Sequence, residues 1–475
     1  LPGVANSSFG PNVGRPVIRG LDGDRVQILQ NGGSMLDASS LSFDHAVPLD
    51  PLTTERIEVL RGPATLLYGG SALGGAVNVI DNRIARTRSF GEEGGVLGKA
   101  ELRAGGAASE RSSAALVEAA NDRVAVHMDA FDRRTRDLKV PIALHCASGW
   151  QKQVCNSDSH TRGGGAGVTL LADHGYLGLS TSDYRSDYGT VAEDTVQIGM
   201  RRQHHVLEGE WRQIPLAFDK VFLQWGHTGY THTEFDAGVP GTTFRNQGHA
   251  LRLQATQKPF AMGDGHALDG VVGIQRDQSQ FAALGDEAFV PTSLTRQSAL
   301  FTYQSLKTSW GEWRAGARTE SVEVQSMGGG IFSTAQNSFA PKSVSLGALR
   351  RASLWTFSAN LTRSQRAPRD YELYADGQHV ATHTYEKGSQ EVGRFRCGVA
   401  SRSASCECEC LPIFFCQLHL LAAYGCASGP RLVGRLSIPR CASPLSRLGG
   451  TRSLAFGGWS PSAVVSTEPS RRVGH

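Results

Sequence analysis

The 475-residue chain has no run of 18 or more apolar residues, so it holds no helix able to cross a bilayer. It also lacks a concentrated excess of one charge: 48 Lys and Arg stand against 44 Asp and Glu, and no nucleic-acid partner is expected. Neither a methionine nor a basic-then-apolar leader opens the chain at "LPGVANSS", so localisation has to be inferred from the body of the sequence. Nucleotide loops are missing. The glycine-rich stretch "RIEVLRGPATLLYGGSALGGAVNVI" (56–80) follows an apolar run with Gly69, Gly70, Gly74 and Gly75. It has neither G-x-G-x-x-G spacing nor a closing Gly-Lys-Ser/Thr, the groups that would hold a pyrophosphate. No G-x-S-x-G, H-E-x-x-H or Ser/Lys motif provides a nucleophile or a catalytic metal, so an enzyme is not expected. No fixed-period repeat supports an adhesive array.

Cysteine is nearly absent from the first 396 residues, where only Cys146 and Cys155 occur. They flank "ASGWQKQV" and suit either a small loop disulfide of an oxidising compartment or two free thiols. From Arg394 to His475 there is no Asp, Asn or Lys, while seven cysteines fall between Cys397 and Cys441. Cys406, Cys408 and Cys410 have a C-x-C-x-C spacing that lacks the C-x2-C pairs and partner His of structural zinc sites. Residues 393–475 therefore read as an atypical tail, frame-shifted, fused or disordered.

What is present divides in two. Residues 1–85 mix short apolar runs ("RPVIRG", "DRVQILQNG", "ERIEVLRG", "GAVNVI") with Gly, Pro and Asn turns, the texture of a compact α+β domain with short strands. From about 95 onward the pattern becomes alternation: Val124, Val126, Met128 and Ala130 fall on one side of "RVAVHMDA", and Arg123, His127 and Asp129 on the other. About a dozen such segments of roughly ten residues follow, the length a tilted strand needs to cross an outer membrane. Alternation alone also suits a soluble sandwich or a propeller.

"RPVIRGLDGDRVQILQNG" (15–32) and "DPLTTERIEVLRGPATLLYGGSALGGAVNVID" (50–81) resemble the plug domain of TonB-dependent outer-membrane receptors. Physically, the glycines would let the small domain lie close to a surrounding wall. The resemblance implies a mainly β protein: a transmembrane antiparallel β-barrel, incomplete here, with an N-terminal α+β plug in its lumen. The expected domains are an N-terminally truncated plug at 1–85, a partial barrel at 95–392 and the tail. A complete barrel would have 22 strands, and the segment that touches TonB would precede Leu1. The implied partners are the TonB complex, outer-membrane lipid, and a metal or small metal chelate, in the outer membrane of a Gram-negative cell.

Two further blocks, "DASSLSFDHAVPLDPL" (37–52) and "RAPRDYELYADGQHVATHTYE" (366–386), resemble the branch of that family associated with zinc uptake. The resemblance marks Asp44, His45 and His379 as ligands, with no resident cofactor and Zn²⁺ as cargo. Haem or a siderophore is the alternative cargo. The chain has 15 histidines, and neutral imidazole with carboxylate suits Zn²⁺. In "YTHTEFD", Tyr230, His232 and Glu234 share a face by the two-residue period, and Glu234 is the fourth expected ligand. His204 and His205 should face opposite ways.

Overall fold

A computed structural model describes residues 1–390, except 89, 92, 215–216, 286–287, 353–354 and 380–383, together with the strand Phe415–Ala422. The expected tail lies outside the described residues apart from that strand, which pairs antiparallel with Trp355–Arg363.

The first 80 residues form a small domain around a four-stranded sheet in the order Gly33–Ser34, Val26–Gln30, Gly75–Ile80, Arg56–Leu60. Its helical turns are 3-10, at Gly23–Arg25, Pro51–Thr53 and Pro63–Leu67. The last starts where Gly62 takes φ +84°, which a side chain would resist, and Pro63 supplies the fixed φ of a first helical residue.

From Gly95 the chain builds one antiparallel sheet of 16 strands, 14 of them in a single path from Gly95–Gly105 to Phe415–Ala422. The longest, Phe218–Asp236 and Val239–Gln257, have 19 residues each, well beyond the 9–11 that span a bilayer. Facing decides the architecture. Leu177, Leu179, Leu223, Trp225, Leu251, Leu253 and Ile274 are exposed, whereas Glu208, Gln224, Arg252 and Gln275 on the opposite face are buried. Apolar-out and polar-in is the reverse of a sandwich core and is the pattern of a membrane barrel. Among the described residues the two ends of the sheet are not joined, and the path is shorter than the 22 strands implied by resemblance. Its edges would need partners in lipid.

The buried polar face is covered by the plug. Plug groups bond to strands far apart along the sheet: Arg86 Nε to Glu208 (2.7 Å), Asn246 Nδ2 to the Asp37 carbonyl (2.8 Å), and Arg252 to the Leu67 carbonyl (2.6 Å). The glycine loop answers to this closeness. A Cβ on Gly70 would lie 2.6 Å from the Gln365 carbonyl oxygen and 2.7 Å from a Glu320 carboxylate oxygen. On the wall side, a Cβ on Gly167 would meet the Arg83 carbonyl oxygen at 1.9 Å. Gly70→Ala is therefore expected to destabilise plug docking by about 1–3 kcal/mol, read as a lower thermal midpoint of the plug transition. An unchanged midpoint would contradict this contact.

The hairpin of Lys139–Cys146 and Gly149–Gln153 is closed by a disulfide from Cys146 to Cys155, just past its second strand. The cysteine pair is thus bonded, and its loop lies in the connection between strands Val124–Thr135 and Ser159–Ala172.

Candidate metal centre

Asp44 and His45 sit on the plug segment between Gly33–Ser34 and Pro51–Thr53. That segment has no regular structure, so the wall fixes it: the Ala46 N–H donates to the Tyr188 hydroxyl (2.9 Å), which donates to the Asp44 carbonyl (3.1 Å). Around it lies an apolar shell of Ala38, Leu41 and Ala46 from the plug against Tyr188, Tyr230 and Phe244 from the wall.

Both imidazole nitrogens of His45 are committed in a way that suits a ligand. Nδ1 donates to the Ala38 carbonyl (3.0 Å), which leaves Nε2 directed at Glu234 Oε1, 3.2 Å away, with Asp44 Oδ1 at 3.9 Å. A backbone acceptor behind one nitrogen, with the other presented to a carboxylate, is how metal-bound histidines are oriented. His45 is 2% exposed, and burial alone would push its imidazole down. The Asp44 and Glu234 carboxylates overrule burial and hold it up at about 9.

A cation entering this site must displace the His45 proton. Between pH 7 and about 9, affinity for Zn²⁺ should rise roughly tenfold per pH unit, and calorimetry in buffers of different ionisation enthalpy should report about one proton released. A flat pH profile would mean that His45 is not a ligand.

Of the four expected ligands, His45 and Glu234 are in direct contact, and Asp44 lies 3.9 Å from His45 Nε2. His379 is one hydroxyl further out: its Nε2 is 2.8 Å from Ser42 Oγ, and the Ser42 hydroxyl donates to Asp44 Oδ1. Its Nδ1 contacts Glu386 at 2.7 Å and its ring stacks on Phe289 at 5.0 Å. Ser42, His379 and Glu386 fall in the order nucleophile, base, acid. The serine proton, however, goes to Asp44, whose charge would repel a developing oxyanion. The set is suited to holding a cation, and the surrounding cleft adds Glu193 and Asp236.

His232 was not among the expected ligands, yet His45, His232 and Glu234 form a group whose ligand atoms all lie within 4.8 Å of one another. The strand period had put it on the right face; choosing it needed the plug in place. His204 and His205 do diverge, His204 Nδ1 meeting Thr228 inside the wall (2.8 Å) and His205 Nδ1 meeting Thr181 on the exposed face (2.9 Å).

Comparison with known proteins agrees with this architecture. Residues 1–76 match the family model "TonB-dependent Receptor Plug Domain". Over 82 residues the chain is 45% identical to the Rhizobactin receptor of Rhizobium meliloti (strain 1021), covering 17% of this chain and 9% of that receptor. Over 78 residues it is 36% identical to the Hemin receptor of Yersinia pestis, covering 16% and 11%. Among solved structures, the Copper transporter OprC superposes with a TM-score of 0.66 at 17% identity, over 79% of this chain and 60% of that one. The siderophore receptor PirA from Acinetobacter baumannii gives 0.58 at 17%, over 79% and 59%. At such identities the structural likeness shows the fold alone. The matched part is short: 9% to 15% of the length of these curated relatives. Residues 1–76 carry the plug domain of the TonB-dependent receptors, and plug, glycine loop and inside-out barrel together give the chain the architecture of that class. The proteins it is matched to are named as receptors and transporters.

Proposed function

We propose that the intact receptor imports a transition-metal cation, zinc in the first place, driven through TonB, with Asp44, His45, Glu234 and His379 as its ligands. One observation carries this reading: a buried plug histidine directs its Nε2 at a wall carboxylate 3.2 Å away. Two ligand atoms on a common tetrahedral ion, with bonds of roughly 2.0 Å, stand about 3.3 Å apart. Because the ligands come from both plug and wall, metal would bind one plug position more tightly than any other. Binding and plug movement are then coupled, as transport requires.

A chelate importer is the second reading, favoured by relatives named for rhizobactin and hemin. Uptake separates the two. Cells carrying the intact receptor should accumulate labelled zinc in a TonB-dependent way that Glu234→Gln abolishes. Zinc uptake equal to that of a receptor deletion, together with receptor-dependent uptake of haem or a ferric chelate, would replace the zinc reading with the chelate one.

A further inference from the structure

We propose that His232 is a further ligand of this cation, so that plug and wall each supply an imidazole to the centre independently of His379. The inference rests on reading the site as a metal centre. His232 lies on the strand Phe218–Asp236, faces the plug and is 0% exposed. Its Nδ1 meets the Tyr230 hydroxyl at 2.8 Å, and its ring lies between Phe244, at 4.7 Å, and the edge of His45, at 4.3 Å.

Its Nε2 is buried without a hydrogen-bond partner among the described residues, and Glu234 Oε1 is 3.9 Å away. Such a nitrogen forfeits its hydration whichever tautomer is present. If Nδ1 donates to the Tyr230 oxygen, Nε2 presents a lone pair toward the same space that His45 Nε2 and Glu234 Oε1 face. A cation in that space would satisfy all three atoms at once. Tyr230 then does for His232 what the Ala38 carbonyl does for His45, fixing the ring with the coordinating nitrogen forward. Two imidazoles with carboxylates suit Zn²⁺, Cu²⁺ and their neighbours, whereas Mg²⁺ and Ca²⁺ prefer oxygen alone. His232 is thereby a residue that selects the class of metal. His379, held behind Ser42, would be the third imidazole, reaching the cation only once Ser42 gives way.

The test is a count of coordinated nitrogens by electron paramagnetic resonance on the intact receptor loaded with Cu²⁺, using the variant His379→Ala. Two imidazoles are expected, from His45 and His232. One, lost on adding His45→Ala, would overturn the role of His232 and keep the metal centre. None would sink the metal centre as well. A second variant, His232→Phe, keeps a ring against Phe244 and should lower Zn²⁺ affinity by more than the roughly 10–100-fold typical of groups that only orient a ligand. A folded His232→Phe receptor with unchanged affinity contradicts the proposal, and if that variant does not fold, the nitrogen count in His379→Ala decides alone.

Discussion

Replacing His45 with alanine is expected to lower the Zn²⁺ affinity of the intact receptor by roughly 100-fold or more, a larger loss than the 10–100-fold typical of groups that only orient a ligand. The residue is the plug's only imidazole in the set, and its Nε2 is the atom nearest to Glu234 Oε1, at 3.2 Å. Without it the plug contributes only the Asp44 carboxylate, and the wall groups Glu234 and His232 are left to hold the cation with one nitrogen fewer. His45→Gln, which restores a polar group but not an imidazole, should recover little. Titration calorimetry at pH 7.5 reads both, and unchanged affinity in His45→Ala would move the ligand site elsewhere while leaving the family assignment in place.

The second large effect concerns how the plug is held. Arg83 follows the last plug strand and is buried, with Nε and Nη2 on the two Asp129 oxygens at 2.7 and 2.8 Å and Nη1 on Asp81 at 2.8 Å. His127 adds Nε2 to Asp129 at 3.2 Å. A bidentate guanidinium–carboxylate pair sealed from water loses far more by removal of one partner than it contributes as a pair, because the survivor stays charged and buried. Asp129→Ala is expected to destabilise the docked plug by about 3–5 kcal/mol, seen as earlier proteolysis of residues 1–85 than of the wall. Glu101→Ala, which removes an exposed partner of Arg103, should change nothing measurable. Equal protection of the plug in Asp129→Ala and the parent would contradict the assignment of this cluster as its anchor.

The fold was legible because two signals were long. The alternation in segments such as "RVAVHMDA" repeats over many strands, and the plug signature runs unbroken from Arg56 to Ile80. What alternation could not give was which face pointed inward, because apolar-in and apolar-out look alike until the plug is seen to cover Glu208 and Arg252. Strand count was illegible for a related reason: it depends on how many hairpins pair in one path.

The site was legible in part. Asp44 and His45 are neighbours in sequence, and Glu234 followed from strand facing. His232 needed three-dimensional closure, since any lumen-facing histidine has the same sequence signature and only the arrival of His45 beside it makes it different. Ser42 could not be anticipated as the group standing between His379 and Asp44, for serine in a polar loop carries no signal of its own. The Cys146–Cys155 bond was left open by sequence because spacing alone fits two thiols equally well.

The most direct test of the central claim is a crystal structure of the intact receptor grown with Zn²⁺, with data collected on both sides of the zinc absorption edge. One strong anomalous peak is expected within roughly 2.0–2.2 Å of His45 Nε2 and a Glu234 oxygen, buried between plug and wall. A peak only at surface histidines, or none at His45 under saturating zinc, would contradict it.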